Sequence, residues 1–241
     1  MKKIFVVLTA LLCVVFSAQA ELNKKEVLTR IGQRYSGIEG ISGKYEVSMS
    51  TMGDVMKMPV NFWQKGKKLK MDMSMNQPGM PEPMEMSILI DGDKVIQYQK
   101  MMNTVITIDI NKLPENMRQQ MKQQQGFMMN DAVVNQLYQV LDKVTIEEKT
   151  KGGKAYYLIT VNDLSTMGNV ASSVGMQGNQ DMFKKMLMWV NTVSLFPEKI
   201  EFLKDTDTPG MWVDILNINT APFSDSVFKL DIPADAKYME M

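Results

Sequence analysis

The chain of 241 residues has no histidine and one cysteine, Cys13, near its start. Those two gaps exclude much chemistry. Without imidazole there is no Ser-His triad and no histidine-ligated metal centre. With a single cysteine there is no intrachain disulfide, so an oxidising compartment is permitted but adds no cross-link to the fold. An excess of charge is missing as well, since 27 basic residues balance 27 acidic ones. Neither nucleic acid nor an anionic membrane surface is implied by that balance. The carboxylate pairs Glu147-Glu148 and Asp205/Asp207 fall beside turns and strand ends, where solvated surface accounts for them. The glycines at 152–153 and 175–178 lack phosphate-loop spacing, and no Lys-Ser/Thr follows them. The expectation is a protein that is not an enzyme and carries no cofactor.

What is present begins with an address. Lys2 and Lys3 precede an apolar run from Ile4 to Phe16, and Ser17-Ala18-Gln19-Ala20 follows. A positive segment, a short apolar segment and small residues at an A-x-A site make a secretory signal peptide, cut after Ala20. The run is too short for a comfortable membrane span. Leu12 before Cys13 does not fit lipid attachment at that cysteine. Residues 1–20 are therefore expected to be removed, and residues 21–241 to form one domain in the periplasm. A chain of this length can bury a sizeable core.

Along that domain the period changes twice. Val27, Leu28, Ile31 and Tyr35 fall at helical spacing, which predicts a helix over 22–35 capped by Asn23. From residue 42 the period becomes two. Strands are predicted over 42–51, 55–64, 68–75, 86–91, 94–100 and 104–110, separated by Gly-, Asp- and Asn-containing turns. Pro114 and Met117 open a second helical stretch, and a third runs over 130–142. Strands resume over 144–150, 154–162, 187–194, 198–205, 211–219 and 226–231, with a Gly- and Ser-rich loop over 164–180. The fold class this implies is mainly β. It is an antiparallel, unclosed half-barrel of about ten or eleven strands, with an apolar inside and the middle helices as a lid.

Twenty-five methionines are the remaining anomaly. Met71, Met73 and Met75 alternate with Lys70, Asp72 and Ser74, so one face of that strand is all thioether. Three readings compete. Methionine is a good filler of irregular cores. Thioethers also suit Cu(I), which raises a copper chaperone as an alternative. Against it, alternate residues of one strand lie about 7 Å apart and cannot surround one ion, so no metal site is expected. The third reading is a lining for a flexible apolar guest, since methionine re-packs around different shapes. The candidate lining residues are Met56, Met58, Phe62, Met71, Met73, Met75, Ile88, Ile90, Met117, Met121, Trp189 and Phe202.

Three stretches carry a family resemblance. Ile90-Asp91-Gly92-Asp93-Lys94-Val95 runs into Tyr98, Trp189 leads to Phe196-Pro197-Glu198-Lys199, and the end reads Phe228 to Pro233. With the signal peptide and the order of elements, these make residues 22–233 similar to the periplasmic lipoprotein carriers of the LolA type and their lipid-binding relatives. The resemblance implies an open half-barrel with a helical lid, a cavity for lipid acyl chains and no cofactor. It implies a monomeric carrier with an inner-membrane donor complex and an outer-membrane acceptor as partners. A lipid-sensing or structural binding module on the same fold is the alternative. One departure stands out. Carriers of that type have an arginine near the end of the second long hairpin that helps hold the lid. Here the region reads Lys65-Gly66-Lys67-Lys68, and lysine does not replace a planar fork. N-terminal sequencing of the exported protein should find Glu21 first; retention of Met1 in a membrane fraction would contradict the signal-peptide reading.

Overall fold

The computed structural model describes residues 23–51, 54–76, 81–115, 117–118, 137–164, 183–204 and 207–240. One helix, α1 (Lys24–Ser36), precedes β1 (Gly40–Thr51), β2 (Asp54–Lys65), β3 (Lys68–Met75), β4 (Met84–Asp91), β5 (Lys94–Gln99) and β6 (Thr104–Asp109). A second run of strands comprises β7 (Val144–Lys151), β8 (Lys154–Val161), β9 (Lys185–Asn191), β10 (Pro197–Leu203) and β11 (Pro209–Asn219), and β12 (Lys237–Glu240) ends the chain. All twelve strands form one sheet in the order β12-β6-β5-β4-β3-β2-β1-β11-β10-β9-β8-β7. The sheet does not close on itself and makes the expected open half-barrel.

Two antiparallel meanders, β1–β6 and β7–β11, meet where β1 pairs with β11. Short turns set the hairpins. In the β7–β8 turn Gly152 and Gly153 have φ of +57° and +75°, the positive angles that a two-residue turn between twisted strands requires.

The helix starts where Asn23 Oδ1 accepts from the Glu26 amide at 3.3 Å, satisfying one free donor of the first turn. Its apolar stripe of Val27, Leu28 and Ile31 is buried on one face of the sheet, called here the inner face. Phe62, Ile159, Met186, Met188, Ile200 and Phe202 belong to the same core, all at or below 1% exposure. Tyr35 meets Phe196 edge-on at 5.2 Å, and the Arg34 guanidinium lies over the same ring at 4.9 Å.

The outer face is covered differently. The segment after β11 crosses it and returns to the far edge. Asp225 accepts from Lys65 at 2.7 Å and Lys68 at 3.4 Å. Asp235 accepts from Asn103 Nδ2 at 3.1 Å, and the Lys237 amide donates to the Asn103 carbonyl at 2.9 Å. This leads into β12, which pairs with β6 in parallel. Lys65 and Lys68 therefore hold the tail. Leu89, Tyr98 and Val105 are buried on this side.

Most predicted strands appear within two residues of their expected limits. The exceptions are 187–194, whose strand ends at Asn191, and 226–231. Ser224 Oγ accepts from the Ser226 amide at 3.2 Å and nucleates a 3-10 turn at Asp225–Val227, a side-chain bond that competes with strand pairing. A strand forms instead at Lys237–Glu240, and the sheet has twelve strands where about ten or eleven were expected. Of the two middle helices, Glu115, Met117 and Arg118 are helical, as are residues 137–139, and the second ends in a 3-10 turn at Leu141–Lys143; residues 116, 119–136 and 165–180 lie outside the described residues.

The seam between the meanders depends on Gly43. A Cβ there would fall 2.1 Å from the Asn217 carbonyl oxygen, beside the bulge between Lys44 and Tyr45. Gly43→Ala should cost about 1–3 kcal/mol. Gly37, with open space around it, should tolerate alanine within roughly 0.5 kcal/mol. A denaturant melt of each variant measures both.

Candidate functional site

Strand alternation and register place the methionines. Across β2, β3 and β4 the partners are Val60, Met73 and Met86 in one row and Phe62, Met71 and Ile88 in the next. Leu69 pairs with Ile90, and Met75 with Met84. Successive residues of a strand point to opposite faces, so all of these share the inner face with Phe62 of the core. Met56 and Met58 precede Val60 on that face and pair with Met49 and Val47 of β1. Eight of the twelve candidate residues are thus brought together: Met56, Met58, Phe62, Met71, Met73, Met75, Ile88 and Ile90.

Burial changes along these rows. Phe62 and Val60 are sealed, at 0% and 1% exposure. Met71, Met73, Met75, Met84, Met86 and Ile88 are half-buried. A closed core therefore passes laterally into a partly open apolar surface. Inner-face positions from β2 to β6 carry one ionisable residue, Asp54, exposed at the far end of β2. Two sulfur atoms are met by polar groups. The Tyr45 hydroxyl donates to Met71 Sδ at 3.8 Å, and Gln97 Nε2 lies 2.8 Å from Met86 Sδ.

The other four candidates fare differently. Phe202 is on the inner face but deep in the closed core, 6.1 Å from Phe183. Met117 is 47% exposed on the short helical piece after Pro114. Met121 lies outside the described residues. Trp189 is on the outer face, because Met186, Met188 and Val190 take the inner positions of β9. There its Nε1–H donates to Glu201 at 2.8 Å and Tyr156 meets it edge-on at 5.9 Å. The strand is apolar at both parities, so alternation alone did not say which set faces in.

Inner-face residues outside the twelve candidates include Tyr45, Val60, Met84, Met86, Gln97 and Gln99. The two glutamines alternate with the apolar Ile96 and Tyr98, so periodicity assigns the wet side wrongly. Tyr98 is buried on the outer face, which is what reverses the pattern. A hollow of about 600 Å³ also lies on the outer face, lined by Lys70, Asp72, Glu85, Lys100 and Asp231 among others. Its mixture of charges does not suit hydrocarbon.

No protein-family model matches the chain, and no curated protein sequence matches it. Solved structures do. An uncharacterized conserved protein from Thermus thermophilus is 12% identical, with 90% of this chain and 98% of that one covered and a TM-score of 0.52. The likeness is one of fold. A putative outer membrane lipoprotein-sorting protein domain from Vibrio parahaemolyticus (11% identical, 85% and 95% covered) has a TM-score of 0.37. The LolA superfamily protein NE2245 from Nitrosomonas europaea (11% identical, 85% and 98% covered) has a TM-score of 0.32. These last two place LolA-type structures among those the chain resembles, at overlaps too small to bear an argument about chemistry.

Burial pushes the Tyr45 hydroxyl up to about 12. The native state keeps that proton between pH 10 and 12, where an unfolded tyrosine, with a pKa of about 10, releases it. Stability from this group is therefore complete below the unfolded value and declines as pH rises through the interval. Tyr45→Phe should flatten the alkaline limb of a stability–pH profile, measured by urea melts from pH 8 to 11.5. An unchanged limb would show that Tyr45 is not sealed.

Proposed function

We propose that the protein binds the acyl chains of lipids or lipoproteins against the inner face of β2–β4 and carries them across the periplasm toward the outer membrane. The observation that supports this reading is the run of half-buried methionine and isoleucine side chains beside a sealed core, with no charge among them except at the Asp54 end. Burying a hydrocarbon chain contributes roughly 0.8 kcal/mol per methylene. A carrier must release what it holds. Methionine suits that demand, because its flexible stem adapts to a guest without fitting any one guest tightly. The lipoprotein-sorting description of the Vibrio domain names the same kind of cargo, for that protein. An inner-membrane donor and an outer-membrane acceptor complete the proposed route.

Met73→Glu tests the site. A half-buried position lets the carboxylate reach water, whereas a sealed one would hold it unpaired at a cost of several kcal/mol. The variant should melt cooperatively with a modestly lowered midpoint and lose most of its uptake of a fluorescent acyl probe. Ser74→Lys, one residue along on the outer face and opposite Glu85, should change neither. Failure of Met73→Glu to fold would make the row ordinary core. Full probe binding by Met73→Glu would remove the row from the site.

A further inference from the structure

The apolar rows end in amides. Continuing past β4, the first row runs from Met86 to Gln99 of β5 and Thr104 of β6, and the second from Ile88 to Gln97 and Ile106. From β2 to β5 is three strand spacings, about 14 Å. A chain laid along the rows thus passes from the sealed aromatic core, over thioethers, to two half-buried glutamines.

Among the described residues neither amide finds a nitrogen or oxygen partner. Gln97 Nε2 faces Met86 Sδ, and a thioether is a weak acceptor. Among the described residues the Gln99 amide has no hydrogen-bond partner. Thr104, by contrast, is buried and donates to the Met102 carbonyl at 2.9 Å. A polar group left half-buried and unpaired is costly, and a partner supplied by a ligand recovers that cost. An amide offers both a donor and an acceptor and carries no charge. The lysines nearby do not help an anion on this face. Lys68, Lys70 and Lys94 alternate with inner-face residues and so belong to the outer side.

We infer that Gln97 and Gln99 are the specificity-determining residues of the inner face, selecting acyl chains carried on uncharged ester or amide linkages over chains that end in a carboxylate. The linkage sits at the β5 end, where its carbonyl accepts from Gln99 Nε2, and the hydrocarbon tail points toward Phe62. This rests on the reading of the face as an acyl site. A free fatty acid would bring a charge to a surface with no cation among the described inner-face residues of β2–β6 to pair it, and would bind in its minor protonated form or more weakly.

The test uses the mature chain with two pyrene-labelled probes of equal chain length at pH 8, the free fatty acid and its methyl ester, and a pyrene-labelled alkane as reference. The parent should bind the ester at least about tenfold more tightly than the acid, a difference of about 1.4 kcal/mol. Gln99→Leu, alone and with Gln97→Leu, should bring the two probes to within about threefold while leaving alkane uptake as strong or stronger; the single variant stands if the double one does not fold. Equal binding of acid and ester by the parent, or an ester preference that survives in a folded variant, overturns the assignment. If no probe binds the parent, the acyl-binding function itself falls, and the specificity with it.

Discussion

From β2 to β6 the sheet pairs without a single register break, and the inner surface exists because of that regularity. Side chains alternate with a period of two, so a slip of one residue in any of these strands would carry its whole apolar set to the outer side. The other half of the sheet is built differently. Register shifts occur between Lys44 and Tyr45, between Phe202 and Leu203, and between Pro197 and Lys199. Bulges bend strands and tighten twist. They fall in the half that shares a core with α1, where Leu28 and Ile31 are fully buried. Every register break thus falls in the sealed half, although β7–β8 and β8–β9 there pair regularly too.

All three tryptophans are kept off the inner face. Trp63, Trp189 and Trp212 all belong to the outer face by register. Each has a lysine ammonium over its ring: Lys70 at 5.3 Å, Lys151 at 4.7 Å and Lys199 at 6.0 Å. Such contacts contribute about 0.5–1 kcal/mol at exposed sites, and the lysine stems shield ring surface as well. The tail adds to this side through Asp225, whose carboxyl the Lys65 ammonium, hydrogen-bonded to it, holds below the usual range. Indole N–H groups therefore do not intrude among the methionines, and the inner face stays deformable.

Local chemistry made most of the fold legible. The alternation in 68–75 gave the limits of β3, and Gly152-Gly153 gave a hairpin. Helical spacing of Val27, Leu28 and Ile31 gave α1. Eight of the candidate lining residues were legible for the same reason, since one parity of β2 and β3 is almost wholly apolar. Trp189 was not, because β9 has two apolar parities and only its neighbours decide between them. Gln97 and Gln99 were hidden by a longer-range cause. The chain turns back over the outer face some hundred residues later and makes Tyr98 a buried residue there, and no window centred on β5 contains that information. The arginine expected from the family resemblance is replaced by lysines whose partner, Asp225, is equally remote in sequence.

The seam between β1 and β11 governs how the protein must be assembled. β1 acquires β2 at once, through a local hairpin, but its other edge waits for β11, which begins only at Pro209. Contacts of such sequence separation form late, because the closure entropy of the intervening loop comes before any gain from pairing. Until then a chain emerging from its N-terminus first holds an apolar six-stranded meander with one long unpaired edge, and such edges recruit other chains. Any delivery of the chain from its N-terminus leaves that edge exposed for as long as the last strands take to arrive.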